Sequence, residues 1–183
     1  MRIDVDWLPA EAAEDGATMA AISDLINRVY KVAEQGLWVD GAARTTPAEV
    51  AALTRAGEIV VARVDGRLAG SVRLRVLGDD LSEFGMLVSA PEHRSIGIGR
   101  ELVRFAERQS RAGGRYVMQL EVLVPREWSH PSKEFLAGWY GRLGYGLVRV
   151  GTVDEAYPEL APLLATPCDF RIYHKDLREY LNR

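Results

Sequence analysis

The chain has 183 residues, 48% hydrophobic and 27% charged, enough length and apolar content for one domain spanning residues 1–183 with its own core. No low-complexity tract interrupts it, which excludes the fibrous, collagen-like and disordered classes. Lys+Arg number 23 against 26 Asp+Glu, a formal net charge of −3, so no overall positive field draws the chain to nucleic acid or to an anionic membrane, and any anionic ligand must be held locally.

In chain order, Ile3, Val5 and Trp7 alternate with Arg2, Asp4 and Asp6 and predict a strand ended by Pro9. This charged start lacks the apolar core of a signal peptide, and no later run is long and apolar enough to span a bilayer, so the expectation is a soluble protein. Met19, Ile22, Leu25, Ile26 and Val29 recur at helical spacing and predict a helix over 18–33. After the glycine-broken stretch 35–46, Thr46 and Pro47 read as the cap and first position of a short helix through Arg55. Residues 58–64 and 67–76 predict two strands joined by Asp65-Gly66, a tight-hairpin signal. A third run over 82–89 completes a meander and puts Phe84, Met86 and Val88 on one side, with Glu83, Leu87 and Ser89 on the other.

Residues 97–112 predict an amphipathic helix stopped by Gly113-Gly114, and 116–124 a strand ended by Pro125, parallel to the strand before that helix. Ser132 is expected to cap a helix to Leu143, followed by a short strand over 145–150. A helical segment over 153–164, interrupted by Pro158 and Pro162, leads to a last strand over 168–174. The fold class is α/β: one mixed (α+β) sheet with helices on both faces. The single cysteine, Cys168, can form no internal disulfide, which fits a reducing compartment and a cytoplasmic location.

The chemistry concentrates at 88–99, VSAPEHRSIGIG. Gly97 and Gly99 at a helix start expose amides that have no intrahelical partner, where the helix dipole favours negative charge. Arg94 at the mouth of this anion cradle adds a planar donor fork suited to phosphate oxygens. A Walker loop would need a Gly-Lys-Ser/Thr ending that is missing, and a dinucleotide fingerprint three glycines in another spacing.

The run Arg94-Ser95-Ile96-Gly97-Ile98-Gly99 resembles the acyl-CoA signature of the GNAT superfamily of N-acetyltransferases: Arg or Gln, two residues, Gly, one residue, Gly or Ala. Like that signature it sits between a fourth strand and a third helix, and the resemblance in element order covers nearly the whole chain, most strongly 84–145. The implied fold is a mostly antiparallel N-terminal sheet with a central parallel pair splayed at a β-bulge, the bulge expected near 87–89 and the splay against 120–124. The implied activity is transfer of an acetyl group from acetyl-CoA to a primary amine of a small molecule, with no metal. The pyrophosphate is then expected on the amides of Ser95, Ile96, Gly97, Ile98, Gly99 and Arg100, with His93 and Arg100 as basic neighbours, and the pantetheine arm along Met86, Leu87 and Val88.

The resemblance also assigns roles. Tyr140, ahead of Gly144-Tyr145, matches the tyrosine that protonates the departing CoA thiolate. Lys133 stands where the family commonly has an asparagine. For the base that frees the acceptor amine, Glu83 is the first choice, with Glu121 and His130 as rivals, and the Val88 amide is the expected oxyanion donor. Trp38 beside Asp40, and Trp128, His130 and Pro131, are candidate walls of the acceptor pocket. Cys168 lies far along the chain from the motif, so attack is direct rather than through an acyl-enzyme. Homodimers are frequent in the family, and the terminal strand offers an edge for one. The alternative from another class is a non-catalytic CoA-binding sensor or scaffold of the same fold.

Overall fold

Asp65 and Gly66 adopt φ values of 47° and 83°, the left-handed pair required by a two-residue turn that follows the twist of its strands. They fold β2 (Ile59–Val64) back on β3 (Arg67–Val76). In the computed structural model, which describes residues 2–178, this hairpin is flanked by β1 (Ile3–Trp7) and β4 (Leu81–Ser89). With β5 (Val117–Pro125), β6 (Gly146–Gly151) and β7 (Cys168–Asp176), they form a sheet in the order β1-β2-β3-β4-β5-β7-β6. Neighbours are antiparallel except β4 and β5, which run parallel, as a strand-helix-strand connection requires.

Two helical layers cover the faces. α1 (Gly16–Ala33) starts at Asp15, whose carboxylate accepts from the amides of Ala17 and Thr18, and α2 (Pro47–Arg55) starts at Thr46, whose hydroxyl accepts from Glu49. Their buried stripes, including Met19, Ile22, Ile26 and Val50, pack on Ile59, Val61, Met86 and Val88. On the other face α3 (Ile98–Ala112) and Tyr140 of α4 (Pro131–Arg142) cover Val60, Val72, Leu74, Phe84, Met118 and Leu120. Each such fully buried side chain contributes about 1.5–3 kcal/mol, so both faces of the central strands are committed to core.

Phe84 therefore faces away from Met86 and Val88 instead of sharing their side. Opposite β3, Arg73 aligns with Gly85 and Ser71 with Val88, so Val72 alone spans Met86 and Leu87. This bulge lies one residue upstream of its expected centre, and it swaps the side-chain facing because an extra residue breaks the two-residue period. Met86 absorbs the distortion with a φ of 50°.

Other departures from the sequence reading have local causes. β7 is an inner strand, not an edge: its Cys168, Ile172 and Tyr173 are buried, whereas Leu147, Val148 and Val150 of the edge strand β6 are 51–55% exposed. β5 keeps pairing through Pro125, opposite Cys168, since the missing N–H falls at the strand's last position. α4 is capped by His130, not Ser132: the imidazole Nδ1 accepts from the Ser132 amide at 3.2 Å. The segment 153–164 reduces to α5 (Val153–Ala156), capped by Thr152, and a 3-10 turn over Ala161–Leu163, the two prolines having broken the rest. Among the described residues no helix is long and apolar enough to cross a membrane.

Candidate active site

β4 and β5 pair only at Leu81–Val117, Ser82–Met118 and Glu83–Gln119 and then part. Beyond that point β4 has no strand partner on its β5 side among the described residues, and at the bulge Met86 and Leu87 are also unpaired with β3. The opening is a cavity of about 470 Å³. Leu87 lines one wall and Glu121, Val122 and Leu123 the other, closed by Tyr30 of α1 and by Lys133, Leu136 and Tyr140 of α4. Splayed strands leave backbone N–H and C=O groups free to pair with an extended ligand.

At the far end of β4 a 3-10 turn, Pro91–His93, leads to Arg94 and α3. Ser95 and Gly97 sit at φ values of 67° and 92°, an alternation that turns successive amides toward one point. Among the described residues, no carbonyl accepts from the amides of Ser95 to Arg100. A Cβ on Gly99 would lie 3.4 Å from both Ser89 Oγ and the Trp139 ring, so α3 approaches α4 closely there. Arg94, Ser95 and Arg100 are exposed, His93 is half-buried, and Arg94 makes no ion pair among the described residues.

A polar row crosses the sheet where the strands begin to part. Glu83 Oε1 accepts from Arg75 Nε and Nη2 at 2.9 and 2.7 Å, and its Oε2 accepts from Gln119 Nε2 at 2.7 Å. Gln119 Oε1 in turn lies 2.8 Å from His174 Nε2. One step along β5, Glu121 accepts from the Tyr157 hydroxyl at 3.0 Å. Burial, and then the charge of Glu83, push the Glu121 carboxyl from 4.5 up to about 7, because both oppose a second negative charge in a poorly solvated site. Burial, and next the Tyr30 phenol, likewise drive Tyr140 above the usual tyrosine range, and the Tyr140 hydroxyl has no hydrogen-bond partner among the described residues.

On the α1 side the slot opens into a larger cavity of about 1,100 Å³. Its walls include Trp38 and Asp40 from the connection between α1 and α2, Tyr157 and Phe170 from the C-terminal half, and Glu83, Glu121 and Tyr140 from the polar row and α4. The α1–α2 connection is stitched down by an isolated bridge between Trp38 and Leu164, and by Val39 N–H to Leu163 O at 2.8 Å.

A family model described as "Acetyltransferase (GNAT) family" matches residues 19–145. The chain belongs to that family. No curated protein sequence matches it, but solved structures do. PaiA N-acetyltransferase from Thermoplasma acidophilum, in complex with coenzyme A, superposes with a TM-score of 0.68 at 18% identity over 96% of this chain and 99% of that one. N-acetylglutamate synthase from Neisseria gonorrhoeae, complexed with coenzyme A and N-acetylglutamate, gives 0.60 at 14% over 97% of this chain and 35% of that one. A Bacillus anthracis acetyltransferase-like protein in complex with acetyl coenzyme A gives 0.52 at 14% over 64% of this chain and 61% of that one. The chain thus spans 35% and 61% of the lengths of the last two, and at these identities the likeness is one of fold.

In this GNAT chain Tyr140, Glu83, Met86, Leu87 and Trp38 meet around the two joined cavities, and Arg94 to Arg100 lie beyond the C-terminal end of β4, at the turn into α3. His130 lines neither cavity: its Nδ1 holds the Ser132 amide and its Nε2 donates to Gln35 O at 3.0 Å, so both ring nitrogens are spent inside the scaffold. Trp128 packs on Gly36, where a Cβ would lie 3.4 Å from its ring. Cys168 is buried, and burial pushes its thiol up to about 11. The sequence reading missed Tyr157 and Arg75 altogether. Tyr157 follows a four-residue helix in a proline-broken segment, and Arg75 stands in a strand among other arginines, so neither carries a spacing signal.

Proposed function

We propose that the chain transfers the acetyl group of acetyl-CoA to the primary amine of a small molecule, by direct attack in a ternary complex. The observation that carries this reading is the splayed slot, with the uncommitted Tyr140 hydroxyl and the raised carboxyl of Glu121 both on its walls. The coenzyme A and acetyl-CoA held by the structural neighbours support it. The pyrophosphate takes the amides from Ser95 to Arg100, with Arg94 as its charged neighbour and His93 at the rim. The pantetheine arm pairs with the free edge of β4 at Met86 to Val88.

The acceptor enters from the Trp38 and Asp40 side as an ammonium. Glu121, with its carboxyl near neutrality, accepts the ammonium proton, which matches a general base to its working pH. Glu83 takes another role than the one its strand position suggested. Its oxygens already accept three hydrogen bonds from Arg75 and Gln119, and its charge, second to burial, helps to lift Glu121. The freed amine attacks the thioester carbonyl carbon, and the N–C bond forms as the carbonyl oxygen takes negative charge, stabilised by an amide donor near Val88. That intermediate carries a positively charged nitrogen; as it collapses the C–S bond breaks, the leaving thiolate takes the proton of the Tyr140 hydroxyl, and the nitrogen gives its second proton to the Tyr140 oxygen, restoring the phenol and leaving a neutral amide. Cys168, protonated and buried away from the slot, has no part in it.

The test is free-thiol release from acetyl-CoA across a panel of primary amines, with Tyr140→Phe alongside. Amine-dependent thiol release that falls in the variant supports the assignment. Acetyl-CoA that binds and is returned unchanged with every amine makes the chain a donor-binding sensor instead.

A further inference from the structure

Glu34, the residue that ends α1, lines both cavities. Its Oε1 accepts from Lys133 Nζ of α4 at 2.8 Å, and its Oε2 accepts from Trp38 Nε1 at 2.6 Å. Lys133 lines the slot between β4 and β5 but not the acceptor cavity, and Trp38 lines the acceptor cavity but not the slot. One carboxylate therefore joins a side chain of each. The Lys133 and Glu34 side chains are 5% and 10% exposed. A buried ion pair adds little net stability over an apolar pair of the same volume, but it fixes geometry, since either member alone is an uncompensated charge.

The Lys133 ammonium has three N–H donors and spends one of them on Glu34. The backbone around Trp38 is already tied to 163–165, through Val39 N–H to Leu163 O and Ala165 N–H to Leu37 O at 2.8 and 2.9 Å. What remains to be set is the indole, whose one N–H goes to Glu34. We propose that Glu34 is a positioning residue that couples the two cavities: a donor molecule accepting a hydrogen bond from Lys133 orders the Lys133–Glu34 pair and, through it, the Trp38 indole of the acceptor pocket. The inference rests on the donor-slot reading above. Coupling of this kind is reciprocal, so filling either cavity raises affinity at the other.

The experiment follows Trp38 emission during titration with coenzyme A, which has no acyl group to reach the acceptor cavity. Trp38→Phe separates its signal from Trp7, Trp128 and Trp139. Glu34→Gln removes the charge. Glu34→Gln with Lys133→Gln removes both charges, so that no buried ion is left unpaired, and thermal unfolding confirms that each variant is folded. The expected result is a Trp38 response to coenzyme A in the wild type that is lost in both variants although they still bind it. With an accepted amine, KM is expected to rise about fivefold or more in Glu34→Gln at nearly unchanged kcat. A wild type that binds coenzyme A with no Trp38 response, or a response that survives in both variants, overturns the coupling alone. A wild type that does not bind coenzyme A overturns the donor-slot reading, and the coupling with it.

Discussion

Replacing Glu83 by Gln separates the two carboxylates of the polar row. In the wild type, burial and the charge of Glu83 hold the Glu121 carboxyl near 7, so at pH 6 only about a tenth of it is ionised and able to accept a proton. Glu83→Gln removes the like charge and leaves the Arg75 guanidinium without its carboxylate, and both changes lower the Glu121 pKa. Burial persists, so the carboxyl does not return to its ordinary 4.5, but a fall to about 6 or below makes at least half of it ionised at pH 6. The assay is kcat/KM from pH 5 to 9, read as the ratio of variant to wild type, which cancels the acceptor's own titration. The variant's activity relative to its own plateau at pH 6 is expected to rise about fivefold, the acid limb moving to lower pH. Glu121→Gln should lose activity across the range. A folded Glu83→Gln that is inactive at every pH, beside an active Glu121→Gln, would refute the reasoning and return the base to Glu83.

Other substitutions probe single contacts. Tyr140→Phe should leave acetyl-CoA affinity and thermal stability nearly unchanged, since its hydroxyl has no hydrogen-bond partner among the described residues, and lower kcat about a hundredfold, the lower end for a lost general acid; stopped-time thiol assays read this. Gly70→Ala puts a Cβ 2.7 Å from Ile98 and 2.8 Å from the Val88 carbonyl, where β3 meets both α3 and the bulged strand. Overpacking there should destabilise by about 1–3 kcal/mol, seen as a drop in Tm of about 2–4 °C per kcal/mol. Gly97→Ala places a side chain at a φ of 92° and should cost about 1–2 kcal/mol of stability together with weaker acetyl-CoA binding, measured by thermal unfolding with and without the ligand.

The strands and helices were legible because their signals are local. Alternation marks residues 3–7, Asp65-Gly66 marks the hairpin, Thr46-Pro47 marks a helix start, and Arg94 to Gly99 lie within six consecutive positions. The site's electrostatics were not legible, because they arise across strands. Arg75, Glu83, Gln119 and His174 are separated by up to 99 positions in the chain and become neighbours only through the register of β3, β4, β5 and β7. The bulge had the same effect in miniature: one extra residue at 86–87 reversed the facing of Phe84 relative to Val88, which alternation alone assigns to one side. His130 shows the opposite error, a polar residue in an aromatic loop whose nitrogens are consumed by a helix cap and a carbonyl.

The most direct test of the account is calorimetric titration of acetyl-CoA into the wild type and into Arg94→Ala, with thermal unfolding of each. A donor held on the amides from Ser95 to Arg100 predicts saturable one-to-one binding that raises Tm in proportion to the ligand excess, weakened at least about tenfold in the variant by loss of a charge-assisted contact. A folded wild type that binds no acyl-CoA, or binds it equally well without Arg94, would contradict the cradle on which the function has been built.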